Sequence, residues 1–425
     1  MKIAMVSEHA SPLAPLGGPD AGGQNVHVAE LSSALADAGH EVIIHTRRSD
    51  PHQPHRLTMR PGVLVEHVPA GPPRPLPRDQ LHPYMNEMAT HLGRCWRADP
   101  PDVIHAHYWM SGLAALRAAP TGLPVAQTFH ALGVVKRRHQ PTTDTSPPER
   151  IPTERTIAHQ VDQIIATCDD EVSELRRQGV DQRRITVVPC GVNIQALHPT
   201  TYRNPHPYTP PNNPDVLSDV VPGPRRARHR LVTLGRLVPR KGIDDVIRAL
   251  PHLPETELII AGGPPHTQLA ADPHARRLRS LAEHHRVGNR VRLVGGLSRH
   301  AVPGVLATAD IVVCVPWYEP FGMVALEAMA CGIPVVASAV GGHTDTVVDG
   351  VTGRLVPPRD PGRLAKVLAE LLAAPQHAIT LGMAGRHRAV SHYSWPQIAT
   401  DTLRVYQRMH DAHHPDGILA AGGTR

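Results

Sequence analysis

This sequence lacks the long apolar segments of a membrane protein. No stretch of its 425 residues comes near the roughly 18 consecutive apolar residues that a membrane-spanning helix needs. The opening apolar run turns polar at Ser7, too early for the core of a secretory signal, and we interpret it as a buried first strand. We therefore expect a cytoplasmic protein with no integral membrane association.

Cysteine is also scarce, with five residues spread along the chain and no Cys-x-x-Cys pair. This spacing argues against a disulfide framework and against a cysteine-based zinc site, so we expect buried free thiols. We interpret His105 and His107, which alternate along one short segment, as polar residues at the end of a strand. No metal site is predicted.

Two signatures of nucleotide-dependent enzymes are missing. The chain has no Asp-x-Asp pair to hold a divalent cation on a diphosphate. Its glycines do not form Gly-x-Gly-x-x-Gly followed by an acidic residue about 20 positions later, which argues against a nicotinamide oxidoreductase. The protein's own cations and helix amides would then have to stabilise a diphosphate.

The formal net charge of +6 suits a polyanionic ligand, but the arginines that produce it are dispersed. No basic run lies beside stacking aromatic residues, so we expect small-molecule partners and no nucleic acid. The basic segment 136–139 leaves three interpretations open: a phosphate contact, a contact with a membrane surface, or a solvated loop.

Short apolar runs alternate with helical patterns in two successive series, which indicates an α/β fold with two parallel sheets. Ligands of such sheets bind at the carboxyl ends of the strands, so we expect functional residues in the loops there, along a cleft between two domains. The predicted segments are an N-terminal Rossmann-like acceptor-binding domain (1–198), a Pro-rich linker (199–228), a C-terminal Rossmann-like nucleotide-sugar domain (229–393) and a C-terminal helix (394–412) that packs back toward the N-terminal domain.

The first candidate motif is Asp20-Ala21-Gly22-Gly23-Gln24-Asn25, between the first strand and a helix. The paired glycines Gly22 and Gly23 would let backbone amides approach a phosphate at the helix start. A flexible turn explains them as well.

The second motif is Gly235-Arg236-Leu237-Val238-Pro239-Arg240-Lys241-Gly242, at the end of a predicted strand. Arg236 and Lys241 are placed to clamp a diphosphate. Lys241 is one of only four lysines in the chain, which favours this role over a solvated turn.

The third motif is the strand–loop–helix segment around Glu319 and Glu327. Glu319 lies in the loop, Gly322 permits close approach of the backbone, and Glu327 lies two turns down an apolar helix. An unpaired carboxylate in such a helix would be costly, so we expect both glutamates to contact the hydroxyls of a sugar and a ribose.

Together these motifs resemble the family 4 retaining glycosyltransferases over nearly the whole chain. The family's Glu-x7-Glu pattern is matched by Glu319 and Glu327, and its Gly-Arg-x4-Lys pattern by residues 235–241. The resemblance extends to the subgroup of sucrose-phosphate synthases and the inositol-phosphate N-acetylglucosaminyltransferases of mycothiol synthesis. It implies the GT-B fold, in which two Rossmann-like domains face each other across a cleft.

The resemblance also implies roles for single residues. In the family, the first glutamate holds the donor sugar, the second holds the ribose, and a histidine matched by His130 lies near the reacting centre. The implied catalytic residues are His130, Arg236, Lys241 and Glu319. The implied donor-binding residues are Gly22, Gly23, Gly235, Arg236, Lys241, Glu319, Phe321, Gly322, Met323, Val324 and Glu327.

For the acceptor, the mycothiol enzymes imply a phosphate held by Asn25, Tyr108 and Arg155. The threonine that follows the active histidine in those enzymes is replaced here by Ala131. This departure argues against inositol phosphate as the acceptor. The acceptor therefore stays open among a sugar phosphate, a cyclitol and a specialised metabolite.

The predicted function is the retaining transfer of a hexose from a UDP- or GDP-linked sugar, without cofactor or catalytic metal. A carboxylate nucleophile is not evident in the first domain, so we favour same-face substitution assisted by the leaving diphosphate. The alternatives are a phosphorylase-like enzyme with pyridoxal phosphate on Lys241 and a non-catalytic sugar-nucleotide binder. A homodimer is left open.

Overall fold

The computed structural model describes residues 1–13, 22–142, 144–199 and 222–414. The chain divides into two compact units: Met1–Gly191 together with the segment from Trp395 onward, and Val192–Ser394. The division therefore falls at residue 191, compared with the expected 198. Most of the predicted linker 199–228 lies outside the described residues.

The first unit contains an eight-stranded sheet of order β3-β4-β2-β1-β5-β6-β7-β8. Its strands are β1 (Lys2–Val6), β2 (Glu41–Arg47), β3 (Arg56–Arg60), β4 (Val63–Val68), β5 (Val103–His107), β6 (Val125–Thr128), β7 (Gln163–Ala166) and β8 (Ile185–Val187). All pairs are parallel except β3 with β4, which is antiparallel at one edge.

Helices connect these strands, as parallel pairing requires. They are α1 (Gly23–Asp37), α2 (Met85–Ala98), α3 (Trp109–Ala118), α4 (Gly133–His139), α5 (Arg150–Gln160) and α6 (Asp169–Arg177). Strand β5 is buried along its whole length, including His105 and His107, because helices cover both faces of the sheet.

The second unit repeats the plan with a six-stranded, fully parallel sheet of order β11-β10-β9-β12-β13-β14. Its strands are β9 (His229–Leu234), β10 (Thr256–Ala261), β11 (Val291–Gly295), β12 (Ile311–Cys314), β13 (Val335–Ser338) and β14 (Arg354–Val356). Its helices are α7 (Ile243–Ala249), α8 (Pro273–His284), α9 (Val302–Ala307), α10 (Met323–Ala330), α11 (His343–Thr346), α12 (Pro361–Ala373) and α13 (Pro375–Tyr393).

Local sequence explains where several of these helices begin. Asp272 and Asp360 each precede a proline, and each carboxylate accepts a hydrogen bond from a backbone N–H in the first turn, at 2.7 and 2.8 Å. The apolar faces of α7, α8 and α12 pack on buried strand residues such as Leu231 and Ile260 to form one core. The two sheets confirm the predicted α/β architecture.

The last helix, α14 (Trp395–His413), belongs to the first unit. Its buried residues recur at helical spacing from Trp395 and Ile398 to Tyr406 and Met409, and this face packs on α1. A Cβ on Gly191 would lie 2.5 Å from the indole of Trp395, so only glycine fits beneath that ring.

No single helix in the described part of the chain is long and apolar enough to cross a bilayer. Helices α12 and α13 meet at a bend of 102°. Taken together, they are long and apolar enough for a membrane span by length and composition alone.

The docking of α14 predicts a large loss of stability for Trp395→Ala. The indole is only 4% exposed, and its removal would leave a cavity above Gly191, so unfolding of the first unit should cost about 3–5 kcal/mol less. Urea denaturation gives the free energy of unfolding. Arg404→Ala, on an exposed side chain of the same helix, should change it by less than about 0.5 kcal/mol. Equal losses in the two variants would contradict this assignment.

Candidate functional site

Lys241 and Glu319, predicted from separate motifs, form an ion pair in the second unit. Strand β9 ends at Leu234, and a short 3-10 turn carries Lys241 back over Gly235. Its Nζ lies 2.5 Å from Oε2 of Glu319, in the loop after β12. Both side chains are largely shielded from water, with 20% and 16% exposed. A cation and a carboxylate are therefore held side by side at the carboxyl ends of two adjacent strands.

Gly242 makes this proximity possible. It has a φ of 69°, and a Cβ at this position would lie 1.8 Å from the carbonyl oxygen of Val315. No other residue tolerates both the left-handed backbone and this contact. The turn that carries Lys241 can thus rest directly on the backbone of the loop that carries Glu319.

The charges around Glu319 keep it ionised. Burial alone would raise the pKa of this carboxyl group, but the charges of Lys241, His343 and Arg240 lower it to about 2. Glu319 is thus an anionic hydrogen-bond acceptor at neutral pH.

Glu327 has the opposite electrostatic environment. It lies in α10, and burial raises its pKa to about 7, although the charge of Arg299 acts in the other direction. Burial raises the pKa of the Cys314 thiol at the end of β12 to about 12; the charge of Lys241 acts in the other direction, and those of Glu319 and Glu327 add to the rise.

The start of α10 is shaped by Gly322, which has a φ of 92°. Phe321 is buried before it, and the half-buried Met323 and Val324 form the first turn of α10 after it. Arg236 is exposed after β9.

His343 is a site residue that the sequence analysis missed. A Cβ on Gly322 would lie 2.3 Å from its ring, and its Nδ1 lies 3.2 Å from the carbonyl oxygen of Ser338. The preceding Gly341 and Gly342 bring the loop after β13 against the backbone of residues 319–321, where Gly342 N–H donates to the Glu319 carbonyl at 3.0 Å. The signal was present as a Gly-Gly-His sequence that begins three residues after the end of a strand.

In the first unit, Gly22 and Gly23 begin α1 as predicted. The Gly22 N–H donates to Oδ1 of Asn25 at 3.0 Å, and the Asn25 amide donates to the Ser11 carbonyl at 2.9 Å. Asn25 is buried, and both ends of its amide are hydrogen-bonded, one to Gly22 and the other to Ser11.

A chain of hydrogen bonds defines the proton positions on His105. Thr128 Oγ1 donates to the Ile165 carbonyl, so it accepts from Nε2–H of His105 at 2.9 Å. Nδ1 of His105 then accepts from the hydroxyl of Tyr406 at 2.6 Å. Burial lowers the pKa of His105 to about 3, which keeps the ring neutral.

The half-buried His130 lies beside two buried histidines, His107 and His27. Nδ1 of His107 is 3.0 Å from Nε2 of His130, and burial lowers the pKa of both rings well below the usual value. Nε2 of His107 has no hydrogen-bond partner in the described residues. Because a buried N–H without a partner is rarer than a buried acceptor without one, we assign the proton to Nδ1 of His107. His130 then carries its own proton on Nδ1. The backbone of His130 is in the left-handed region, with a φ of 60°.

Tyr108 lies among cations of the first unit. It is 4% exposed, and the guanidinium groups of Arg150 and Arg78 lie 5.1 and 5.4 Å from its ring centroid. Arg155, the predicted acceptor residue, is exposed one turn further along α5. The arginine of this helix that reaches Tyr108 is Arg150, which also donates to the Ala131 carbonyl at 2.6 Å.

The basic segment 136–139 is tied into local ion pairs. Lys136 lies 2.9 Å from Asp144 and donates to Ser146 Oγ at 2.8 Å, while Arg138 pairs with Glu174 at 2.5 Å. Of the interpretations left open above, these contacts favour a structural part for the segment.

Two protein-family models match the chain. The model described as Glycosyltransferase Family 4 matches residues 21–196, and the model described as Glycosyl transferases group 1 matches residues 222–388.

Curated relatives match along almost the full length. D-inositol 3-phosphate glycosyltransferase 2 of Catenulispora acidiphila is 36% identical, over 96% of this chain and 95% of that protein. D-inositol 3-phosphate glycosyltransferase of Xylanimonas cellulosilytica is 35% identical, over 95% of this chain and 96% of that protein.

Solved structures agree with these matches. Sucrose-phosphate synthase from Thermosynechococcus elongatus superposes with a TM-score of 0.84 at 32% identity, covering 97% of this chain and 99% of that chain. Anabaena Alr3699/HepE, solved in complex with UDP and glucose, shares the fold with a TM-score of 0.69 at 19% identity, over 96% of this chain and 99% of that chain.

The raised pKa of Glu327 predicts a pH-dependent stability that Glu327→Gln removes. The folded protein retains this proton up to about pH 7, whereas the unfolded chain loses it near 4.5. The stabilisation is complete below the lower value and is lost as the pH rises through the higher one. Urea midpoints of wild type should fall between about pH 5 and about pH 8 by more than those of the variant.

Glu370→Gln provides the control for this titration, because that side chain is exposed on α12. Its midpoints should follow the wild-type profile. If the Glu327→Gln profile has the wild-type slope, Glu327 does not titrate in this range.

Proposed function

The chain belongs to the family 4 glycosyltransferases, and on that basis we propose that it transfers a hexose from a UDP- or GDP-linked sugar to a small phosphorylated acceptor with retention of configuration. The observation that carries the donor half is the ion pair of Lys241 and Glu319 between two strand ends. A cleavable sugar diphosphate needs both charges: a cation for the phosphates and an anion for the sugar hydroxyls.

Lys241 and Arg236 would stabilise the negative charge that develops on the departing diphosphate. The backbone N–H groups at the N-terminus of α10, after Gly322, would also stabilise an anion. These groups supply the charge that a metal supplies in other transferases, so we propose that transfer proceeds without a catalytic metal or cofactor.

Glu319 would accept hydrogen bonds from the hexose, and Glu327 from the ribose of the nucleotide. The low pKa of Glu319 supports this role, because an ionised carboxylate is the stronger acceptor. His130, with its proton on Nδ1, would donate to the sugar near the reacting carbon. A diphosphate oxygen of the leaving group is the proposed acceptor of the proton from the attacking hydroxyl.

We propose a phosphate ester as the acceptor, held by Arg78 and Tyr108, with Arg150 packed behind the tyrosine ring. The names of the matched relatives, D-inositol 3-phosphate glycosyltransferase and sucrose-phosphate synthase, both refer to phosphate esters. Arg150 is buried and paired with Glu154 at 2.7 Å, whereas Arg78, 5.4 Å from the centroid of the Tyr108 ring, is partly exposed and suits such a dianion. At position 131 the side chain is alanine, which offers no hydroxyl to a ligand.

No observation on the described residues favours the pyridoxal phosphate alternative, because Nζ of Lys241 is already paired with Glu319. Cytoplasmic location and a homodimer stay predictions.

The donor site predicts that Lys241→Ala lowers kcat by about 10²–10³-fold while the protein stays folded. Removal of the lysine also removes the largest charge that keeps Glu319 ionised, so the pKa of Glu319 should rise. The assay measures nucleotide release from UDP- and GDP-sugars with inositol phosphates and hexose phosphates as acceptors, in the presence of EDTA. Lys366→Ala, on an exposed lysine of α12, should match wild type. Undiminished turnover in Lys241→Ala would contradict the role of this lysine.

The acceptor site predicts a different kinetic pattern for Arg78→Ala. The loss of one charge-assisted phosphate contact should raise KM for a phosphorylated acceptor by about tenfold or more and leave KM for the donor unchanged. The nearby Arg74 is exposed, and Arg74→Ala serves as the control. If both variants keep the wild-type KM, or if dephosphorylated acceptors work equally well, the acceptor phosphate is not held by Arg78.

A further inference from the structure

A second cluster of ligand-type side chains lies in the first unit, apart from every residue assigned to donor or acceptor. It consists of His55, before β3, Glu66, in β4, and His91, in α2. One potential ligand atom from each residue lies within 4.8 Å of those of the other two. We call this group the His55–Glu66–His91 cluster.

The distances within the cluster resemble those of a metal site. Nε2 of His91 lies 3.0 Å from Oε1 of Glu66. Two ligands at about 2.1 Å from a tetrahedral zinc ion are about 3.4 Å apart, so small side-chain movements would admit the ion. His91 is half-buried and His55 is exposed, which leaves a path from solvent to the buried carboxylate.

Glu66 is held as the anchor of the cluster. The carboxylate is completely buried, and Arg56 donates to Oε2 at 2.9 Å through Nε. This leaves Oε1 turned toward His91 and toward the thiol of Cys95, which lies 3.4 Å away. The Arg56 guanidinium also lies 2.8 Å from Oε2 through its Nη2, so the carboxylate is paired as an anion.

An unpartnered nitrogen also points at this carboxylate. His45 is 2% exposed, and its Nε2 accepts a hydrogen bond from the indole N–H of Trp96 at 3.4 Å. The proton of the neutral ring is therefore on Nδ1, which lies 3.6 Å from Oε1 of Glu66 and has no hydrogen-bond partner in the described residues. Such a donor behind a ligating carboxylate is typical of the outer shell of a metal site.

The exposed member, His55, is available as a ligand. Its ring makes no hydrogen bond to the described residues and lies 5.8 Å, between centroids, from the ring of His91. Its backbone carbonyl accepts from the His67 N–H at 2.8 Å, which ties the residue to the edge of the sheet.

We propose that His55, Glu66 and His91 bind one Zn²⁺ ion. Two imidazoles and a carboxylate are a ligand set that zinc accepts, with water in the fourth position. The ion would join the β3–β4 edge of the sheet to α2. Its role is structural, and it is independent of the proposed glycosyl transfer, since none of its ligands belongs to the donor or acceptor site.

The experiment measures zinc binding to the full chain produced without a histidine tag. After chelator treatment and dialysis, wild type should take up about one Zn²⁺ per chain, measured by elemental analysis, and zinc should raise its Tm. His55→Ala and His91→Ala should bind zinc at least about tenfold more weakly and lose the rise in Tm.

His52→Ala is the matched control, because His52 is an exposed histidine of the same segment but lies outside the cluster. It should bind zinc as wild type does. A wild-type chain that retains far less than one equivalent would overturn the proposal and leave Glu66 neutralised by Arg56 and His91 alone. So would equal binding by wild type, His55→Ala and His91→Ala, since zinc would then be held by other histidines.

Discussion

The proposed donor site depends on backbone contacts that only glycine permits. Gly242 lets the turn that carries Lys241 rest on the carbonyl of Val315, and Gly341 approaches the carbonyl of Glu319 closely enough that a Cβ would lie 2.1 Å from it. A side chain at either glycine would push the loops apart, because real Cβ atoms do not approach backbone oxygens this closely. The opposite charges are therefore adjacent because the backbones beneath them are in contact, and not because the charges attract each other across a flexible gap.

That arrangement gives the two glutamates different chemistry. Glu319 faces Lys241, whose charge outweighs the cost of burial and holds the carboxylate ionised. Glu327 lies eight residues later in α10, where burial outweighs the charge of Arg299 and the proton is retained up to about pH 7. A ligand that supplies hydroxyl donors would stabilise the ionised form of Glu327, whereas a bound diphosphate would compete with Glu319 for Lys241. The resting ion pair thus holds the lysine in place while partly satisfying its charge.

The sequence predicted the regular part of the fold well, because strands buried on both faces are continuous apolar runs such as Leu258–Ala261 in β10. It missed the β3–β4 hairpin, where polar residues at an exposed sheet edge follow a segment rich in proline and histidine. The sequence predicted that Lys241 contacts a phosphate and that Glu319 contacts a sugar. It did not predict the ion pair between the two side chains, because that contact joins distant parts of the chain. The acceptor role of Arg155 stays a prediction; that Arg150, on the same helix, packs on Tyr108 is a tertiary contact that the sequence does not show.

The thirty histidines of the chain show why composition alone assigns no role to this residue. His105 and His107 are buried, His130 is half-buried, and the three neutral rings are linked by hydrogen bonds or ring contacts, which makes them fixed donors and acceptors with defined tautomers. His91 lies only partly buried against an anionic carboxylate with a second histidine in reach, which is the environment that favours a cation. The same imidazole thus serves hydrogen bonding in one place and offers a metal ligand in the other. The deciding variable is whether the nearest fixed partner is another neutral ring or a buried negative charge.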